Sequence, residues 1–138
     1  MRKTSRIIII AMLMLTFFAI PVRAATTSFT LTVTRDGQNQ DPKSKRTEKA
    51  GGSKWKNRYY VTNETFDGLG TIKVKSINLN DSSITSNSKV LNLSTKGVRD
   101  NEGTEYKTTA PSNQYYYLKA VYGSGLSKSL NATGRYTP

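Results

Sequence analysis

Residues 114–122 read Gln-Tyr-Tyr-Tyr-Leu-Lys-Ala-Val-Tyr. Taken two at a time, Tyr116, Leu118, Ala120 and Tyr122 fall on one face and Tyr115, Tyr117, Lys119 and Val121 on the other. That period of two is the pattern of a β-strand with one buried side. Gly123-Ser124-Gly125 is a small-residue turn, and residues 128–136 are expected to return as the second arm of a hairpin.

The same period recurs upstream. Phe29, Leu31 and Val33 alternate with Ser28, Thr30, Thr32 and Thr34, which places β-branched hydroxyl residues on the wet face of a strand. Residues 55–62 alternate Trp55, Asn57, Tyr59 and Val61 against Lys56, Arg58, Tyr60 and Thr62. Residues 63–70 read as a turn centred on Asp67-Gly68. A strand follows over 71–79, where Ile72 and Val74 have one parity and Ile77 and Leu79 the other. A bulge near Ser76 would bring all four to one side. Lys89–Leu93 and a short piece around Tyr106 complete the set, and residues 44–49 are a candidate edge strand inside the polar stretch 35–54. About seven short strands at fairly regular spacing, with neither a heptad nor an internal repeat, predict an all-β chain. The expected fold is a single small antiparallel β-sandwich.

The N-terminus has a different character. Arg2, Lys3 and Arg6 precede a 14-residue apolar run at 7–20, followed by Pro21 and Val22-Arg23-Ala24. A charged segment, an apolar core and a small-residue site are the parts of a secretory signal peptide. The run falls short of the ~20 residues of a membrane span. Cleavage after Ala24 is expected, leaving a secreted domain at 25–138 with a basic loop at 35–54.

Composition narrows the chemistry. The chain has no cysteine and no histidine. Ser-His-Asp and Cys-His catalysis are thereby excluded, as are thiolate and imidazole metal sites and a disulfide framework. Removing residues 1–24 leaves 17 basic residues against 9 acidic ones. A net charge of this size bears on partners and solubility rather than on fold. Export turns attention from intracellular nucleic acid to anionic wall polymers and lipid head groups.

The densest cationic stretch is Lys43, Lys45, Arg46, Lys49, Lys54, Lys56 and Arg58, seven cations in 16 residues with Glu48 the sole acid. Such a cluster holds a polyanion by displacing its counterions, so binding weakens as salt rises. Trp55, Tyr59 and Tyr60 at its end, together with Tyr115 and Tyr117 on the outer face of the 114–122 strand, are candidate aromatic contacts for rings of a ligand. Asp100, Glu102 and Glu105 are close in sequence but match no calcium-loop spacing. Ser53-x-x-Lys56 and Ser86-x-x-Lys89 lack the helix that would put both residues on one face. No catalytic residue, metal or cofactor is expected.

Several of these segments resemble a family of small exported Firmicutes proteins filed as a domain of unknown function. They are Phe29-x-Leu31-x-Val33 behind a signal peptide, Lys54-Trp55-Lys56, the tyrosine-rich strand with Gly123-Ser124-Gly125, and Thr133-Gly134-Arg135-Tyr136. The resemblance implies an exported β-sandwich with no catalytic residues, distantly like lactococcin-type bacteriocins. The expected function is that of a non-enzymatic binding protein engaging an anionic cell-wall polymer or membrane surface. A secreted bacteriocin-like antimicrobial protein is the alternative.

Overall fold

A computed structural model describes residues 25–37, 44–50 and 57–138. Among the described residues eight strands are present: β1 Thr27–Thr34, β2 Thr47–Glu48, β3 Arg58–Asp67, β4 Gly70–Asn78, β5 Lys89–Leu91, β6 Thr104–Glu105, β7 Tyr115–Gly125 and β8 Ser129–Thr137. They form two antiparallel four-stranded sheets, ordered β1-β8-β3-β6 and β2-β7-β4-β5, which pack face to face as an all-β sandwich.

The inward faces follow the sequence pattern. Phe29, Leu31 and Val33 of β1, Ile72 and Val74 of β4, Tyr116, Leu118 and Ala120 of β7, and Leu130, Ala132 and Tyr136 of β8 are all buried. Each large apolar side chain taken fully from water contributes about 1.5–3 kcal/mol. With no disulfide available, this burial carries the fold.

Two expected turns are built differently. β3 continues through Asp67, where a turn was expected from residue 63, because Glu64 is an extra residue in its pairing with β8. This bulge moves the buried parity from Tyr59, Val61 and Asn63 to Phe66. The expected hairpin between residues 114–122 and 128–136 is also corrected: β7 pairs with β4, and β8 lies in the opposite sheet between β1 and β3. The chain therefore changes sheet after β3 and again after β7, two of several such changes among the described strands. The two crossings brace each other, since the Leu126 and Ser127 amides donate to the Leu69 carbonyl oxygen and the Leu69 amide donates to Ser127 Oγ. Gly68 and Gly125, at φ of 106° and 141°, supply backbone that L side chains rarely adopt.

The bulge expected near Ser76 is absent. β4 keeps its alternation and buries Ser76 and Asn78 in place of Ile77 and Leu79. Buried partners make this tolerable. Ser76 Oγ lies 2.5 Å from the Tyr106 hydroxyl and 2.6 Å from the Tyr136 hydroxyl. Asn78 Nδ2 donates to Gln114 Oε1, and its Oδ1 accepts from the Asn80 and Asp81 amides. Tyr59, Tyr106, Tyr116 and Tyr136 form a chain of edge-on rings around this polar centre, with centroids 5.5–6.4 Å apart.

Leu93, expected in a strand with Leu91, instead begins a single 3-10 turn, Leu93–Thr95. Asn92 Oδ1 accepts the Ser94 and Thr95 amides, while Thr95 Oγ1 accepts the Asn92 amide, a reciprocal cap that ends β5.

Candidate functional site

The basic segment expected as one surface divides in the structure. Residues 44–49 run along β7 at the edge of its sheet, as the edge-strand reading anticipated. The Ser44 amide donates to the Leu118 carbonyl, and Thr47 and Glu48 pair with Tyr116 and Tyr115. Lys45 and Arg46 are exposed there, with the Arg46 guanidinium 5.1 Å from the centroid of the Tyr115 ring. This cation–ring contact fixes an otherwise floppy side chain against the sheet.

Lys49 does not reach the surface. It is 2 % exposed, its ammonium donates to the Arg58 carbonyl at 3.1 Å, and it lies 4.9 Å from the Tyr106 ring centroid. Burial lowers its pKa to about 8. Residue 49 follows Thr47 at strand spacing, and Thr47 also points inward, so alternation carries the lysine into the sandwich.

Tyr59 is likewise a core residue rather than a contact surface. Its hydroxyl reaches the Val74 and Asn87 carbonyls, and burial raises its pKa to about 12. Arg58 belongs to the other sheet, where it pairs with Glu105 at 2.7 Å and donates to the Glu102 carbonyl. Tyr60 is half-buried on the outer face of that same sheet. Lys43, Lys54, Trp55 and Lys56 lie outside the described residues.

Tyr115 and Tyr117 do sit on an outer face, and the structure adds neighbours that are distant in sequence. Register places Lys75 opposite Lys119, Lys73 opposite Val121 and Ile77 opposite Tyr117. Val90 of β5 stands on the other side of Lys73. Lys73, Lys75 and Lys119 line a shallow hollow of about 190 Å³ with Ile77, Thr85, Ser88 and Val121. No acidic residue is among those lining it.

Like charges directly across a strand pair oppose sheet formation. Lys75 and Lys119 are held in that relation on a face where Val90 and Val121, each 42 % exposed, supply apolar surface. The combination of ammonium groups, hydroxyls and exposed apolar carbon suits an oxyanion carried on a partly apolar body.

No protein-family model, curated protein or solved structure matches the chain. The resemblance to small exported proteins therefore rests on its sequence motifs alone.

Asp100 and Glu105, close in sequence, do not converge. Asp100 is turned inward and holds Lys89 at 2.6 Å, whereas Glu105 is turned outward onto Arg58. Sequence reasoning passed over Lys73, Lys75 and Lys119 because they are scattered singly along two strands. Their shared outward parity was the signal available.

Proposed function

We propose that the protein is exported and binds a phosphate-rich anionic polymer of the cell surface through the outer face of the β2-β7-β4-β5 sheet. The observation that carries this reading is the hollow ringed by Lys73, Lys75 and Lys119. Ser88 beside it offers a hydroxyl donor, Thr85, whose hydroxyl donates to the Ser76 carbonyl, lines it as well, and Tyr115 with Arg46 extends the face at its edge. Three ammonium groups around one hollow act as point charges on phosphate, and the surface area gives the polymer room to run across the sheet. Catalysis plays no part in this role.

The test is sedimentation of the purified protein with washed Gram-positive cells over a range of salt, with viable counts from the same tubes. Binding should weaken steeply with salt, and the Lys73→Gln/Lys75→Gln/Lys119→Gln variant should bind about tenfold less tightly at low salt. Wild-type binding by a folded triple variant overturns the assignment. Loss of viability alongside salt-sensitive binding replaces the surface-binding role with an antimicrobial one.

A further inference from the structure

The opposite face of the sandwich carries a second feature, unrelated to the lysines. β3, β8 and the chain at 97–101 enclose a groove of about 740 Å³. Tyr60, Thr62 and Glu64 from β3 and Arg135 from β8 form its floor, and Arg99, Asp100 and Asn101 form one wall. This is the size of a pocket for a small organic molecule.

The wall is anchored by buried polar bonds. Asp100, with a side chain 5 % exposed, accepts the Val61 amide at 2.8 Å and the Gly103 amide at 3.0 Å, and pairs with the Lys89 ammonium at 2.6 Å. Its own amide donates to Thr62 Oγ1. The Gly97 amide donates to the Asn63 carbonyl at 2.7 Å, and Asn63 Nδ2 holds the Asn92 carbonyl and Thr95 Oγ1. A connecting segment tied down at both ends presents its outward side chains from a fixed position, which lowers the ordering cost of binding.

Those side chains are Arg99 and Asn101. Among the described residues neither side chain has a hydrogen-bond or ion-pair partner, and both are exposed. Arg135 uses only Nε, for Glu64 Oε1 at 2.9 Å, and 70 % of its side chain is exposed. The two carboxylates of the groove are both paired, Asp100 with Lys89 and Glu64 with Arg135, which leaves the Arg99 guanidinium as its net positive charge. The groove thus offers guanidinium donors beside a tyrosine ring, an amide and hydroxyls.

We propose that this groove binds an acidic saccharide. Arg99 and Arg135 take its carboxylate or phosphate, while Tyr60, Thr62 and Asn101 contact the hydroxyl-bearing ring. A planar guanidinium matches an oxyanion bidentately. An aromatic face with adjacent amide and hydroxyl groups matches a sugar ring, whose carbon–hydrogen face is apolar and whose edge is polar. A neutral saccharide would leave the Arg99 guanidinium and the terminal nitrogens of Arg135 without an oxyanion.

The experiment is a nuclear magnetic resonance titration of the isotopically labelled protein with a glucuronyl-glucose disaccharide, glucose 1-phosphate and cellobiose. The acidic disaccharide should shift amides at 60–64, 97–101 and 135–137, and bind about tenfold more tightly than cellobiose. Glucose 1-phosphate in place of the uronate separates phosphate from carboxylate as the oxyanion read. Arg99→Gln, at an exposed position that leaves the anchoring bonds intact, should remove most of that preference, whereas Lys75→Gln on the opposite sheet should leave it unchanged. Equal binding of acidic and neutral sugars, shifts confined to the lysine face, or no shifts with any of the three overturns the proposal. Failure here leaves the cell-binding result for the lysine face standing, because the two use different residues on opposite sheets.

Discussion

Replacing Ser76 by alanine removes one oxygen that two buried phenols share. Ser76 Oγ is 2.5 Å from the Tyr106 hydroxyl and 2.6 Å from that of Tyr136, and all three residues are buried. A buried polar group stripped of its partner costs about 1–3 kcal/mol. In Ser76→Ala the two phenols can turn toward each other, which satisfies one and leaves the other short. A loss of about 2 kcal/mol is therefore expected. In urea this lowers the unfolding midpoint by about 1 M for a slope typical of small domains. The informative comparison is the triple variant Ser76→Ala/Tyr106→Phe/Tyr136→Phe. It deletes every member of the network while keeping the ring shapes, so it should be more stable than Ser76→Ala alone and lie within about 1 kcal/mol of the parent. A triple variant less stable than Ser76→Ala refutes the view that the network is held by mutual satisfaction. So does a Ser76→Ala variant within about 0.5 kcal/mol of the parent.

Lys49 gives a pH signature. Burial brings its folded-state pKa to about 8, below the ordinary lysine value of 10.5. Above pH 8 the folded state sheds a proton that the unfolded chain keeps until about 10.5. Stability should therefore rise by about 1.4 kcal/mol per pH unit as that window opens, most cleanly from pH 8 to 9, before the tyrosines of the unfolded chain begin to ionise and oppose it. Lys49→Met should abolish the rise and be the more stable form at pH 7, as read by chemical denaturation at each pH; a parent profile that is flat from pH 8 to 9 counts against a buried, charged Lys49. Gly134 sits in the central strand of its sheet, where an added Cβ would overlap the Thr62 carbonyl oxygen and come 2.9 Å from Phe29 Cζ. Gly134→Ala should cost more than about 3 kcal/mol, and an unchanged melting temperature would show that the strand can shift to make room.

Much of the architecture was legible because alternation is a local property. Phe29-Leu31-Val33 and Tyr116-Leu118-Ala120 announce buried faces without reference to anything distant, and the structure buries both sets. The errors fall where a local pattern has two tertiary solutions. Gly123-Ser124-Gly125 signals that the chain bends, but a bend within one sheet and a crossing between two sheets use the same residues. The parity break between Val74 and Ile77 suggested a bulge, on the assumption that Ile77 and Leu79 outrank Ser76 for burial. That ranking fails because Tyr106 and Tyr136, 30 and 60 residues away, bring hydroxyls to Ser76.

The candidate site was legible only in part, for the same reason. Lys43–Arg58 is conspicuous as a run, yet strand alternation sends Lys49 inward and a change of sheet carries Arg58 away from Arg46. The lysines that do converge are inconspicuous in the sequence.

The sequence by itself determined that this is a β protein without thiol or imidazole chemistry, that it is strongly basic, and which positions face inward on β1 and β7, where alternation is unbroken. These follow from composition and from a period of two, both readable within a few residues. Tertiary structure alone decided which strands pair, which sheet each belongs to, and therefore that Lys73, Lys75 and Lys119 share one hollow while Arg99 and Arg135 share a groove on the other side. Pairing is set by competition among all strands for burial and hydrogen-bond partners, a property of the whole chain at once.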